Sequence, residues 1–448
     1  MLWSPLDEKC RQDVTNATAI DPFSRPGNVV TAAYYHRSAA IPLESLQPLI
    51  YNALSRVVLQ IPSMGVIIHN MVDFIQLLDD RDEEVDALVE KQQNTRFSQL
   101  SEQVPCWRLV IAYAPRQNAI SDMVACLVVG ASAKDQFYAV DFHRSFLAAL
   151  LLVNEAKPSR QPSEYPIPSV SKPLSEISTS QQRGQSSHSQ SQSRFKTVTL
   201  GTTDTARLLG DCFANMTTLT SVIQAVFAAS LFTNLTSEFS TMRSAGQISP
   251  SGITGKQNAK PRSKYIATHN REDGCNITSV WNEARRIHTA SKAELNRKLR
   301  SNSLVEFFRR NGGPSLLDTK DIGESRGISV GVSSMGSFHD SKTSESQEQQ
   351  VWQTGRTICN DYNNEISAAL WITLVVGGDG CLTIGVSWLQ NIIGEDWLEQ
   401  VIFTMRRLIA EILHTNDAIK RKAMISEPVP WGGSVSRLVY MVRDLMLD

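Results

Sequence analysis

The chain has no apolar run approaching the roughly 18 residues that a bilayer crossing needs. No excess of one charge appears either: 44 Lys and Arg stand against 45 Asp and Glu, for a net charge of -1. A chain without a field of one sign is a poor partner for nucleic acid or an anionic membrane, so neither is expected. The seven Cys form no C-x-x-C pair and their number is odd, which fits reduced thiols in a cytoplasmic protein better than a disulfide framework or a zinc site. The first residues lack a basic stretch followed by an apolar one, so no secretory signal is read there. The Asn-x-Ser/Thr triplets at Asn16, Asn215, Asn234 and Asn276 are accordingly read as chance. There is no phosphate-cradling Gly-rich loop and no His/Cys metal cluster, and no metal is expected.

What is present is 448 residues with 42% hydrophobic content, enough for two or three compact units. Polar low-complexity segments punctuate them. The longest, residues 156–195, is rich in Ser, Gln and Pro and cannot bury enough apolar surface to offset its ordering entropy. It is read as a linker between domains at 1–155 and 196–448. Residues 244–263 and 339–350 are read as long loops within the second domain.

Both halves mix strands and helices. Residues 124–129 form a short apolar run suited to a buried strand, and 142–153 read as a helix with a broad apolar face. Residues 217–231 place Leu219, Val222, Ile223, Val226 and Phe227 at helical spacing behind capping threonines. Residues 370–376 and 381–388 flank Gly377-Gly-Asp-Gly380, a strong hairpin signal. A helix with acidic residues in its first turn is expected from 395 to about 414. The class is α/β or α+β.

Several segments, in order, resemble the fungal alcohol O-acetyltransferases. These belong to the superfamily of chloramphenicol acetyltransferases, acyl-CoA-dependent acyltransferases and peptide-synthetase condensation domains. Val104-Pro-Cys-Trp-Arg-Leu-Val-Ile111 resembles a Pro-x-Trp-Arg-Leu strand, and Phe142-His-Arg-Ser-Phe-Leu147 the helix that follows the catalytic loop. Met216-Thr-Thr-Leu-Thr-Ser-Val-Ile-Gln-Ala225 resembles the helix that opens the second domain, and Trp281-Asn-Glu-Ala-Arg-Arg-Ile-His288 a Trp-x-x-Ala-Arg helix. Ser333-Ser-Met-Gly336 and Gly380-Cys-Leu-Thr-Ile-Gly-Val-Ser-Trp388 resemble two later strands.

The resemblance implies an α/β protein of two chloramphenicol-acetyltransferase-like domains, each a mixed sheet with helices, around a central channel. It implies acyl transfer, acetyl foremost, from acyl-CoA to a small-molecule alcohol in fungal secondary-metabolite or toxin biosynthesis, by a monomer. In such enzymes a His-x-x-x-Asp-Gly loop follows a buried strand, and its His takes the acceptor's proton. Here the frame falls on Gly130-Ala-Ser-Ala-Lys-Asp-Gln136. Asp135, the structural Asp of the loop, is kept, whereas the His position is Ala131 and the Gly position Gln136. An alanine methyl accepts no proton, so a degenerate member that binds a ligand or partner without turnover is the alternative.

Other histidines are weighed as the base. His69-Asn-Met-Val-Asp73 follows the wrong segment. His269-Asn-Arg-Glu-Asp-Gly274 fits the full pattern but reads as a charged turn after a short strand. His143 adjoins the vacant position, though a lone His on an apolar helix is more often a satisfied core residue. His143 and His269 are carried as candidates, with Ser333, Ser334 and Trp388 as substrate contacts. Gly331-Val-Ser-Ser-Met-Gly336 narrowly misses a nucleophile elbow and reads as a strand. The basic residues of 281–300 read as a solvated face rather than a CoA phosphate site.

Overall fold

A computed structural model of the chain describes residues 28–61, 64, 72–78, 81–95, 107–116, 118–130, 136–155, 192–248, 263–271, 277–310, 328–338, 351–360 and 368–426. The chain divides into two units. One comprises Met1–Thr199, Ser337–Glu365 and Val375–Ser387; the other comprises Leu200–Gly336, Ile366–Leu374 and Trp388–Asp448.

The first unit is organised by a five-stranded sheet. Its strands are β1 (Val29–Pro42), β2 (Val72–Gln76), β3 (Trp107–Tyr113), β4 (Ala119–Val129) and β9 (Trp352–Asn360), in the order β2-β3-β4-β1-β9. β2 runs parallel to β3; the other pairs are antiparallel. The two-residue period of β1 divides its side chains between two cores. Ala33 and Tyr35 join Leu46, Ile50 and Leu54 of α1 (Leu46–Gln60) and Phe142 and Phe146 of α3 (Gln136–Glu155). Val30, Ala32 and Tyr34 join Val85, Leu88 and Val89 of α2 (Arg81–Asn94). Trp352, Phe142 and Phe146 are fully enclosed, and side chains of this size each contribute about 1.5–3 kcal/mol or more on burial.

The expected boundary at a linker differs from this division. Residues 337–365 return to the first unit because β9 pairs with β1 along most of its length, a long-range pairing that composition does not record. Residues 156–191 lie outside the described ones, and a strand, β5 (Ser193–Leu200), already begins within the expected linker.

A six-stranded sheet has the order β5-β11-β10-β8-β6-β7, with β6 (Thr241–Ile248), β7 (Ser263–Asn270), β8 (Val330–Ser337), β10 (Leu370–Val376) and β11 (Leu382–Leu389). In the second unit, β6 lies antiparallel to β7 and parallel to β8. The helices are α4 (Thr202–Ala214), α5 (Leu219–Asn234), α6 (Ile277–Arg310) and α7 (Glu395–Ser426). Residues 244–248, expected in a loop, extend β6. Helix α5 begins as its threonines predict, with the Thr218 side chain accepting from Ser221 N–H, and it is buried from Val222 to Phe232. No single described helix is long and apolar enough to cross a membrane.

The Gly-Gly-Asp-Gly turn forms between β10 and β11. Gly377 N–H donates to the Cys381 carbonyl, and Gly380 sits at φ +78°, where a side chain is strained. At Gly331 on β8 an added Cβ would lie 1.8 Å from Trp371 Cε3, so the indole of Trp371 requires glycine there. The near-elbow reading resolves as a strand.

Candidate functional site

The chain leaves β4 at Gly130 and re-enters helix at α3; residues 131–135, including Ala131 and Asp135, lie outside the described ones. Register places the exit. Val129 faces Val29, Val128 faces Val30, and Val30 on its other side faces Asn360. Asn28, Gly130 and Asn360 therefore share one end of the five-stranded sheet.

That end is polar and built on α2. The C-terminal carbonyls of a helix have no intrahelical partners. Here Arg108, the Arg of the Trp-Arg-Leu strand, supplies them. Its guanidinium donates to Gln92 Oε1 at 2.7 Å, to the Gln92 carbonyl at 2.9 Å and to the Thr95 carbonyl at 3.0 Å. Burial lowers the Arg108 pKa, against the raising pull of Cys126 and Asp73. Asn28 Nδ2 donates to the same two carbonyls. Trp107 anchors the strand's other face, its indole N–H donating to the Met64 carbonyl. Beside these caps runs a buried amide chain. The Ser387 hydroxyl donates to Asn360 Oδ1 at 2.8 Å, and Asn360 Nδ2 donates to Gln93 Oε1 at 2.6 Å.

His143, on α3, is fully buried. Its Nε2 lies 3.3 Å from the Thr31 carbonyl, which only accepts, so Nε2 carries the hydrogen. Its Nδ1 then accepts from Tyr35 Oη at 2.9 Å. Desolvation lowers the imidazole from 6.5 to about 4, the Thr31 bond opposing. Both nitrogens are engaged and the ring is neutral. The geometry is that of a core histidine, with no lone pair turned toward an acceptor alcohol.

His269 is a correction to the sequence reading: it lies inside β7 and is buried, not in an exposed turn. A continuous chain of bonds passes through it. Tyr265 Oη donates to Gln224 Oε1 at 2.6 Å, Gln224 Nε2 donates to Ser244 Oγ, and Ser244 Oγ lies 2.6 Å from His269 Nε2. His269 Nδ1 meets Glu283 Oε1 at 2.6 Å, and Arg286 holds Glu283 from outside. Burial alone would raise the Glu283 carboxyl, but the bonds from Arg286 and His269 carry it down to about 2. The Ser-His-Glu order is that of a nucleophile relay. Yet Ser244, His269, Gln224 and Tyr265 are each at most 5% exposed, and the Ser244 hydroxyl is already engaged by Gln224 and His269, so the relay is satisfied within itself.

No protein-family model matches the chain. By sequence it is similar to a protein called probable alcohol acetyltransferase crmB from Aspergillus fumigatus, 22% identical over 357 residues, covering 72% of this chain and 76% of that one. By structure it is similar to TRI3 trichothecene 15-O-acetyltransferase from Fusarium sporotrichioides, with a TM-score of 0.59 at 11% identity over 86% of this chain and 90% of the other. It is also similar to a variant of the starter condensation domain of rhizomide synthetase RzmA in complex with C8-CoA, with a TM-score of 0.50 at 13% identity over 88% and 92%. The fold is that of the two-domain chloramphenicol-acetyltransferase-like acyltransferases.

Within that fold the remaining candidates stand on β8 and β11 of the six-stranded sheet, with β10 between them. Ser333 on β8 is fully buried, while Ser334 is half-buried and accepts from Gly336 N–H at 3.4 Å. Trp388 is buried on β11, and its indole N–H has no partner among the described residues. Of the basic residues on α6, Arg285 contacts Asn215 and Asn282, Arg286 and Arg297 pair with Glu283 and Glu294, the solvated and paired face expected. Among the described residues no group of three or more His, Cys, Asp or Glu side chains is placed to hold a metal. Sequence reasoning missed Asn28, Gln93, Asn360 and Ser387, four amide and hydroxyl residues far apart in the chain with no motif to join them.

Proposed function

We propose that the protein is an acyl-CoA-dependent O-acyltransferase that places an acyl group, acetyl foremost, on a hydroxyl of a fungal secondary metabolite or toxin. The observation that carries the reading is the succession of β4, Gly130 and α3. It keeps the family's order beside the Arg108-capped helix, in a chain similar in sequence to a probable alcohol acetyltransferase. The C8-CoA held by a neighbour of the same fold supports CoA as the acyl carrier. The acceptor oxygen attacks the thioester carbonyl, the C–S bond breaks, and CoA leaves as the thiol, without a covalent enzyme intermediate. With Ala131 at the family's His position, the hydroxyl proton passes to water or to a group on the substrate. A monomer and a cytoplasmic location belong to this reading.

A second reading is a non-catalytic member that binds ligand or partner. Ala131 favours it, as do His143 and His269, whose ring nitrogens are all engaged. Incubating the purified chain with acetyl-CoA and a panel of alcohols separates the two. Thiol release with ester formation supports the transferase; tight CoA binding without release supports the second.

A further inference from the structure

The buried amide chain at the end of the five-stranded sheet stops on a donor. Asn360 Oδ1 is taken by the Ser387 hydroxyl, so Asn360 Nδ2 turns to the Gln93 oxygen, and Gln93 Nε2 is the end of the chain. Gln93 is 2% exposed, and its Nε2 meets no acceptor among the described residues. A buried donor without an acceptor is destabilising by about 1–3 kcal/mol, and such groups call for an explanation. Its surroundings are rigid: the Gln93 carbonyl accepts from Asn28 N–H, and the preceding carbonyl is fastened by Arg108 and Asn28. A side chain locked on a capped helix terminus is suited to fixing a ligand's orientation. Its bonds to Asn28 and Asn360 set it at the sheet end to which register also brings Gly130.

We propose that Gln93 is a substrate-contacting residue whose Nε2 donates to an oxygen of the acyl substrate. This rests on the acyltransferase reading. Asn360 and Ser387 are positioning residues that hold the amide oxygen and leave its nitrogen as the donor. No proton is transferred at Gln93.

The test uses the full-length protein, acetyl-CoA and whichever panel alcohol gives the greatest thiol release. Gln93→Glu keeps an oxygen for Asn360 but cannot donate while ionised. At pH 8 its kcat/KM is expected to fall roughly tenfold to a hundredfold, the range for one lost hydrogen bond at a desolvated site. As pH falls and the carboxyl takes up a proton, the variant regains a donor and its rate relative to wild type rises. Gln93→Met, which cannot donate at any pH, shows the loss without the recovery. That contrast separates donation from a purely structural role; if the Glu variant does not fold, wild-type kcat/KM in a folded Gln93→Met overturns the proposal. Wild-type kcat/KM in both variants at every pH overturns the proposal and leaves the transferase reading standing. Absence of turnover and of acetyl-CoA binding in the wild type overturns both.

Discussion

Tyr35 Oη lies 2.9 Å from Nδ1 of His143, within a core where neither ring reaches solvent. The phenol belongs to the strand and the imidazole to the helix packed on it, so the bond joins β1 to α3 at a depth where water cannot substitute. Its electrostatics make the pair a pH-sensitive element of stability.

His143 has a folded-state pKa of about 4 against an ordinary 6.5. Its neutral form contributes fully above pH 6.5, and that contribution is lost as pH falls toward 4, by roughly 3 kcal/mol. Urea titrations at pH 7 and pH 4 should show this, with a smaller difference in His143→Gln. Tyr35→Phe leaves Nδ1 buried without a donor and should lower stability by about 1–3 kcal/mol. Equal stability at the two pH values in wild type would contradict the argument.

The Ser244–His269–Glu283 relay is predicted to be structural. Ser244→Ala and His269→Gln should lower the melting temperature while leaving acyl-transfer kcat/KM at the wild-type value. Glu283, with its pKa depressed to about 2, contributes stability above about pH 4.5 that is lost as pH falls toward 2. Glu283→Gln should flatten that acid limb. Loss of turnover without loss of stability in Ser244→Ala would show the relay to be catalytic.

Arg108 carries a helix terminus through three hydrogen bonds. Arg108→Lys keeps the charge but not the planar fork, and should cost about 2 kcal/mol in chemical denaturation. Arg108→Ala should cost more, with increased amide exchange at residues 90–95. A Lys variant as stable as wild type would mean that charge alone suffices.

Gly331→Ala drives a methyl into the Trp371 indole, and overpacking of this kind destabilises by about 1–3 kcal/mol or more. A second substitution that shortens Trp371, such as Trp371→Leu, should recover part of the loss. No recovery would place the strain elsewhere.

The elements whose signal is local were legible in the amino-acid order. The apolar run at 124–129, the capping threonines before α5 and the glycines of the β10–β11 turn each encode their own structure, because backbone preference and side-chain period act over a few residues. That order also determined, through its motifs, the fold. Tertiary structure alone decided what each polar residue does. Arg108 became a helix cap because β3 lies beside the end of α2, His269 became interior because β7 pairs with β6, and Gln93 met Asn360 across 267 residues of chain. Those outcomes depend on which surfaces are brought together and drained of water. Desolvation and long-range hydrogen bonding are properties of the assembled core, and no window of neighbouring residues contains them.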